Sequence, residues 1–239
     1  MNKVIKNILN YTCKNTEQLG IMVEKTLCNI TKTKFNTKRK YIDIPDEISG
    51  DIDNSIGKEL KRMKMRHIGN LNKEYDFIKD KNKTVSIKTI MSGNKICPQI
   101  IGQCSLKSFN NKLSLDILDK FTFKRFFLEN TSVLVEKYLQ NLFCCDTIII
   151  FKFQSGVIYI IEKCGDVIQF KDSNFSFTTS KDIDNWNESN TVYLVSKNKK
   201  RKLFGEIQMD KKESLGEIQI HNNRDCIKFR SEEHTSELQ

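Results

Sequence analysis

The chain has 239 residues, which suffices for one large domain or for one domain with a small appendage. Hydrophobic residues make up 38% and charged residues 29%, enough apolar material for a core and too little for a membrane protein. Lysine and arginine number 40 against 30 acidic residues, and the net charge of +10 favours an anionic partner such as nucleic acid.

Helices are predicted first along the chain. Residues 15–30 place apolar side chains at helical spacing, and a turn-like acidic stretch at 45–53 precedes a second predicted helix over about 54–67. A third helix is predicted to begin at Pro98 and run to Phe109, because proline is favoured in the first helical turn. Residues 121–145 predict a helix with a break near Glu129.

From Thr147 onward the pattern is that of strands. Residues 147–153 and 157–163 flank a Gln-Ser-Gly turn and predict a hairpin. Further short strands are predicted at 167–171, 191–196, 203–209, 215–220 and 226–229. Since no proline-rich or glycine-rich linker divides the chain, we expect one mixed α/β domain with a β-rich C-terminal half.

The cysteines and the N-terminus indicate the cellular compartment. The 8 cysteines show neither the spacing of a disulfide framework nor a CxxC metal motif. The first residues lack the uninterrupted apolar stretch of a signal peptide. We therefore expect reduced, mostly buried thiols in a cytoplasmic protein.

The most informative segment is a predicted hairpin that begins at Glu74. Side chains alternate along a strand, so Asp76 falls on the same face as Ser86 and Lys88 of the following strand. A carboxylate beside a lysine suits phosphodiester hydrolysis, because the carboxylate holds Mg²⁺ and the lysine orients the attacking water. The alternative is a solvated hairpin face with no chemical role.

Two flanking features extend this pattern. Glu59 borders the apolar stripe of the second predicted helix, and the amides Gln99 and Gln103 follow the hairpin. With Asp76 and the triplet Ser86-Ile87-Lys88, this order of parts resembles type II restriction endonucleases of the PD-(D/E)xK nuclease superfamily. The segments SIKT, KICPQIIGQ and LGEIQIHNNRDCIKFR add to a resemblance that spans roughly residues 55–229.

The resemblance implies a restriction-endonuclease-like core, with a central mixed β-sheet flanked by helices, and Mg²⁺-dependent cleavage of double-stranded DNA. It implies that Asp76 is a metal ligand and Lys88 the catalytic lysine. Ser86 stands where the superfamily usually carries an acidic residue, so a second metal-binding carboxylate has to come from elsewhere. Glu59 is the first candidate and Glu74 the second, with Gln99 or Gln103 as a neutral substitute.

The polar cluster His221, Asn222, Asn223 and Arg224 lies between two predicted strands. Asparagine and arginine suit adenine and guanine edges in the major groove, although a polar hairpin turn has the same composition. Lys200, in the basic run 197–202, is a candidate phosphate contact or part of a solvated loop.

The hypothesis that follows is a sequence-specific endonuclease of a restriction system, hydrolysing phosphodiester bonds. A palindromic target favours a homodimer, and such a system includes a DNA methyltransferase. The alternatives are a noncatalytic DNA-binding protein of the same fold and a structure-specific repair or recombination nuclease. Ser86 is the feature that keeps the noncatalytic alternative open.

Four segments are expected along the chain. Residues 1–53 form an N-terminal helical segment with a basic loop, residues 54–145 the catalytic core, and residues 146–229 the DNA-recognition part of the same nuclease domain. Residues 230–239 resemble the translation of a sequencing-library adapter, and we expect the natural C-terminus to be missing. His67 is expected to be packed, and Trp186 to be exposed.

Overall fold

The computed structural model describes residues 2–4, 16–36, 44–68, 74–91, 93, 95–98, 101–163, 170, 174–179, 182–202 and 205–232, without the side chains of 2–4, 196–202, 205–213 and 231–232. The chain divides into two compact units. The first comprises residues 1–94 and 143–165, and the second comprises residues 95–142 and 166–239. The boundaries expected at residues 54 and 146 stay a prediction.

The chain is mixed α/β, as predicted. The helices are α1 Thr16–Thr31, α2 Asp46–Arg62, α3 Leu106–Leu113, α4 Lys120–Glu129 and α5 Thr131–Leu142. The strands are β1 Asn2–Val4, β2 Arg66–His67, β3 Phe77–Lys79, β4 Lys83–Ile90, β5 Lys95–Ile96, β6 Gln103–Cys104, β7 Thr147–Lys152, β8 Val157–Glu162, β9 Asn174–Phe177, β10 Ser189–Lys202, β11 Gly205–Ile220 and β12 Ile227–Glu232. Within the described part of the chain, no helix is both long and apolar enough to span a membrane.

The first unit contains a mixed sheet in the order β1-β8-β7-β4-β3-β2. Its central pair, β4 and β7, is parallel, and the other pairs are antiparallel. Thr147 to Phe151 of β7 are all buried, as a near-continuous apolar run in a central strand requires. The predicted hairpin of β7 and β8 is confirmed, and its turn uses Gly156 with a φ of 63°.

Helices α1 and α2 form the core of the first unit together with this sheet. Their buried residues include Leu19, Val23 and Leu27 of α1 and Ile52, Ile56 and Leu60 of α2, which cluster with Phe77, Val85 and Phe151 of the sheet. The helix predicted over residues 15–30 is thus confirmed as α1. At about 25 cal/mol per Å² of apolar surface, each such buried side chain contributes roughly 1.5–3 kcal/mol.

The second helix was predicted wrongly at both ends. It begins at Asp46 instead of about residue 54, directly after Pro45, because Asp46 and Glu47 in its first turn interact favourably with the positive end of the helix dipole. It ends at Arg62, and Lys64 then adopts a left-handed φ of 45°. His67 therefore lies in β2 and not on a helix, although it is buried as expected.

The helix predicted to begin at Pro98 was also placed wrongly. It starts at Leu106, where Ser105 Oγ caps it by accepting a 3.1 Å hydrogen bond from the Ser108 amide. The preceding residues instead contribute the short strands β5 and β6. The break predicted near Glu129 is confirmed, since α4 ends there and α5 begins at Thr131.

The second unit contains a sheet in the order β5-β12-β11-β10-β9, with β6 also paired to β12. Residues 205–209 of the strand predicted at 203–209 and the strand predicted at 215–220 belong to one long strand, β11, while residues 203–204 lie outside the described residues. The pattern did not predict β9. The strand predicted at 167–171 lies outside the described residues except for Phe170, which is not in a strand.

Aromatic side chains fill the core of the second unit. Tyr138 of α5 stacks on Phe229 of β12 with ring centroids 4.2 Å apart. Trp186 is only 1% exposed and meets Phe127 edge to face, so the expectation of an exposed tryptophan was wrong. Its acidic and amide neighbours in sequence are surface residues, but the indole itself packs against α4. The described cysteines carry free thiols and are buried or partly buried, as expected: Cys28, Cys97, Cys104, Cys144, Cys145 and Cys226.

A buried carboxylate ties three segments of the second unit together. Glu217 of β11 accepts hydrogen bonds from Ser189, from Lys95 at 2.9 Å and from Arg230 at 2.7 Å. Burial raises the pKa of Glu217, but the bonds from Ser189 and Lys95 and the nearby positive charges lower it more, to about 2. The ionised form is therefore the stable one in the folded unit.

We expect Glu217→Gln to destabilise the protein at pH 7 and to matter progressively less in acid. Because the folded pKa of about 2 lies below the ordinary value of 4.5, the stabilisation is complete above pH 4.5 and disappears as the pH falls toward 2. Urea unfolding at several pH values measures this, with Glu129→Gln on the exposed side of α4 as the control. A destabilisation that is the same at pH 7 and at pH 2.5 would contradict it.

Candidate functional site

Asp76 lies just before β3 and is held across the hairpin by β4. Its Oδ2 accepts a 2.6 Å hydrogen bond from the Ile87 amide and a 3.3 Å hydrogen bond from Ser86 Oγ. The Asp76 amide in turn donates to the Val85 carbonyl at 2.9 Å. The structure therefore brings Asp76 and Ser86 together, as predicted, although the strand expected from Glu74 begins only at Phe77 and Asp76 lies outside it. The buried Ser86 hydroxyl acts as a donor that fixes the carboxylate.

Lys88 lies two residues farther along β4, beside Ile150 of β7. Its positive charge lowers the pKa of Glu24 on α1, and the negative charge of Asp76 raises it. Lys88 and Asp76 therefore act on the same carboxylate. We define the candidate site as Glu24, Asp76, Ser86 and Lys88.

Glu24 is a member of this site that the sequence reasoning missed. Its side chain is 20% exposed, and burial is the main reason why its pKa is raised. Helix α1 passes close to β4, since a methyl group on Gly20, one turn before Glu24, would lie 3.5 Å from Thr89 Oγ1. The available signal was the one used for Glu59, a carboxylate bordering the apolar stripe of a helix.

The structure places Glu59 at the turn end of the hairpin. It lines a cavity of about 450 Å³ together with Lys79, Asp80 and Lys81. Asp76 lies at the other end of β3, three residues from Lys79, which corresponds to about 10 Å of extended chain.

Glu74, the second candidate, has an exposed side chain. Its backbone carbonyl accepts a hydrogen bond from Cys145 Sγ at 3.1 Å. Both thiols of the Cys144–Cys145 pair thus lie beside the segment that carries Asp76. The hydrogen bond with Cys145 lowers the pKa of Cys144, while burial and the charge of Glu74 act against it.

The donor set of the candidate site suits a hard divalent cation. Among the described residues, no group of three or more His, Cys, Asp and Glu side chains is arranged to hold a metal ion. Mg²⁺ needs fewer, because one or two carboxylates commonly hold it while waters and substrate phosphates complete the octahedron. Glu24 and Asp76 are the candidates for those two carboxylates, and a cation bound there would offset the burial and the negative charge of Asp76 that raise the pKa of Glu24.

The remaining sequence candidates lie in the second unit. Gln103 is exposed in β6, opposite Lys228 of β12, and Gln99 lies outside the described residues. The backbone of Lys200 lies in β10 opposite Ile207, and its side chain is not among those that the structure describes. Their expected contacts with DNA stay predictions.

Residues 221–225 form a loop between β11 and β12, which we call the recognition loop after the role that the sequence leads us to expect. Lys120, the first residue of α4, donates hydrogen bonds from Nζ to the carbonyls of His221, Asn222 and Arg224, the last two at 3.1 Å. The Asn222 amide donates to Glu188 Oε1 at 2.8 Å. Several anchors therefore hold the backbone of the loop.

Although the backbone of the recognition loop is anchored, some of its side chains are exposed to solvent. Asn223 and Arg224 are exposed, and Arg224 Nη2 lies 3.1 Å from His221 Nε2. Burial and the charge of Arg224 lower the pKa of His221. Exposed polar groups on an anchored backbone are suited to contacts with a rigid partner such as a duplex.

Comparison with known proteins adds one relationship. The chain is similar to the type II restriction enzyme CviAII of Paramecium bursaria Chlorella virus 1, with 28% identity over 218 residues. The match covers 90% of this chain, which spans 58% of the length of that relative. This similarity supports the predicted relationship to restriction enzymes. No family model and no solved structure matches the chain.

We expect Lys120→Met to loosen the recognition loop without unfolding the second unit. The substitution removes charge-assisted hydrogen bonds to three carbonyls, each worth about 1.5–3 kcal/mol, and keeps the apolar stem. Hydrogen exchange of residues 221–226, followed by mass spectrometry, should accelerate on the order of tenfold or more. Lys137→Met on the exposed face of α5 is the control. Unchanged exchange in the loop would show that other contacts suffice to hold it.

Proposed function

We propose that the chain is a Mg²⁺-dependent, sequence-specific endonuclease that cleaves double-stranded DNA in a restriction system. The observation that carries this proposal is the candidate site, in which a hairpin fixes Asp76 while Lys88 and Glu24 share its electrostatic environment. The similarity to a type II restriction enzyme supports the same conclusion.

Each residue of the candidate site has a different role in the proposed phosphodiester hydrolysis. Asp76 and Glu24 would hold the cation, and the Ile87 amide and Ser86 hydroxyl keep Asp76 in place, so that it does not reorganise during the reaction. When bound, Mg²⁺ polarises the phosphate and lowers the pKa of a coordinated water. Lys88 offers a positive charge and hydrogen bonds to the attacking water and to the developing charge on the phosphate.

Glu24 resolves the difficulty that Ser86 poses for the resemblance. A serine supplies no negative charge, and here its hydroxyl donates to Asp76. We therefore propose that the second carboxylate comes from α1 through Glu24 and not from Glu59 or Glu74.

Sequence recognition is proposed for the second unit. Phosphates are alike at every step of DNA, so discrimination requires donors and acceptors presented to base edges. The recognition loop presents an exposed asparagine and an exposed arginine on an anchored backbone. A homodimer acting on a palindromic site, with a methyltransferase protecting host DNA in the cytoplasm, completes the proposal.

Cleavage of plasmid DNA with Mg²⁺, compared with EDTA, tests the reaction. Asp76→Asn and Lys88→Met should each reduce cleavage by about 10²–10³-fold or more, because the first removes a charged ligand of the cation and the second removes a positive charge near the developing charge on the phosphate. Both variants should still bind duplex DNA. Binding without cleavage by the unaltered chain would favour the noncatalytic alternative, and smeared instead of discrete fragments would favour a nuclease without sequence specificity.

Substituting each of the three glutamates in turn shows which one supplies the second carboxylate of the cation site. Glu24→Gln should reduce cleavage at least about 10²-fold and raise the Mg²⁺ concentration required, because it removes a charged ligand. Glu59→Gln and Glu74→Gln are matched controls that make the same chemical change outside the candidate site, and both should cleave within a few-fold of the unaltered chain. Loss of cleavage in Glu59→Gln with normal cleavage in Glu24→Gln would reverse the assignment.

A further inference from the structure

His67 is a buried histidine with both ring nitrogens engaged. It is 1% exposed and lies between the rings of Phe35 and Phe77, with centroids 4.7 and 5.0 Å away. Its Nδ1 lies 3.0 Å from the Asn36 amide nitrogen, and its Nε2 lies 3.0 Å from Glu24 Oε2. The neighbouring Asn36 side chain donates to the His67 carbonyl at 2.8 Å.

These contacts assign the tautomer of the ring. A backbone amide can only donate, so Nδ1 is the acceptor in its hydrogen bond with Asn36. The ring hydrogen of the neutral imidazole is therefore on Nε2 and is donated to the Glu24 carboxylate. Because both nitrogens are used, neither is available as a metal ligand.

The Glu24 carboxylate needs such a donor. Its Oε2 lies 3.0 Å from Nε2 of a ring that is itself 1% exposed, so the donor that holds this oxygen is fixed in the core. A glutamate also has three rotatable side-chain bonds, so a carboxylate that binds metal from a helix gains from a partner that fixes one oxygen. The imidazole is surrounded by Phe35, Phe77 and the Asn36 amide. None of these groups forms a hydrogen bond with Nε2, so this nitrogen is the one that bonds Glu24.

We propose that His67 is a positioning residue of the cation site, whose Nε2–H hydrogen-bonds Glu24 Oε2 and holds that carboxylate in one orientation. The inference rests on the proposed function, since Glu24 is the metal-binding carboxylate there. Cation binding would then depend on a buried residue that contacts neither the metal nor DNA. It also distinguishes His67 from a histidine that only fills space between two phenylalanines.

Two variants separate the two hydrogen bonds of the ring. An asparagine amide reaches the position of Nδ1, so His67→Asn keeps a partner for Asn36 and removes the donor to Glu24. A glutamine amide reaches the position of Nε2, so His67→Gln keeps a donor to Glu24 and removes the acceptor for Asn36. Each variant thus loses one hydrogen bond and part of the ring packing.

The measurement is the binding of Mn²⁺, a spectroscopically visible substitute for Mg²⁺, by electron paramagnetic resonance on the full chain. His67→Asn should raise the Mn²⁺ dissociation constant about 10–100-fold, the usual effect of losing a partner of a metal ligand. His67→Gln should stay within about threefold of the unaltered chain. The Mg²⁺ concentration needed for DNA cleavage should shift in the same order, while DNA affinity in EDTA remains unchanged.

The outcomes separate this inference from the proposed function. Equal Mn²⁺ affinity in the Asn and Gln variants, with Mg²⁺-dependent cleavage intact, would overturn the role of His67 alone. Mn²⁺ binding that depends on His67 in a chain that never cleaves DNA would support the inference and contradict the nuclease. A chain that neither binds Mn²⁺ nor cleaves DNA overturns both.

The unaltered chain provides a second measurement in case neither variant folds. Nitrogen-15 spectra of the histidine ring should show hydrogen on Nε2 of His67, and its signal should shift when Mg²⁺ is added. A ring with hydrogen on Nδ1, or a signal that Mg²⁺ leaves unmoved, would overturn the proposal.

Discussion

The parallel pairing of β4 with β7 is the interaction on which the candidate site depends. It joins segments that are distant in the sequence, matching Val85 with Thr147 and Ile90 with Lys152. Asp146 reinforces the start of this pair, because its carboxylate accepts from the amide and the hydroxyl of Thr84 at 2.7 and 2.9 Å. With β4 fixed at the centre of the sheet, the Ser86 hydroxyl, the Ile87 amide and Lys88 have defined positions for holding Asp76 and acting on its surroundings.

Electrostatics explains why the hairpin with Asp76 and Lys88 does not by itself make a cation site. One carboxylate and one lysine can form an ordinary surface pair, whereas two carboxylates that share a partly buried environment are costly without a cation. Helix α1 brings Glu24 into that environment, and His67 of β2 supplies the hydrogen bond that lowers its pKa against the effect of burial. Helix α1, strand β2 and the hairpin of the first unit thus each contribute side chains to the candidate site and its surroundings.

Contacts between residues that are close in the sequence were predicted correctly more often than contacts between distant ones. Asp76 and Ser86 are ten positions apart across a short hairpin, so the local reversal of the chain brings them together even though Asp76 lies just before β3. The start of α2 differs from the prediction because Asp46 and Glu47 belong to its first turn, where acidic side chains favour the helix, and not to a turn before it. Trp186 was misjudged because its neighbours in sequence say nothing about the phenylalanine that packs on it.

The sequence by itself determined the mixed α/β class, the β7–β8 hairpin and the local meeting of Asp76 with Ser86, since each follows from periodicity or from neighbours along the chain. Only the tertiary structure decided which helix brings a carboxylate to β4. Glu24 and Glu59 both border an apolar helical stripe, so the sequence pattern ranks them equally. The difference arises from the packing of α1 near Thr89 and of Glu59 near the hairpin turn, and such packing depends on contacts between residues far apart in the chain.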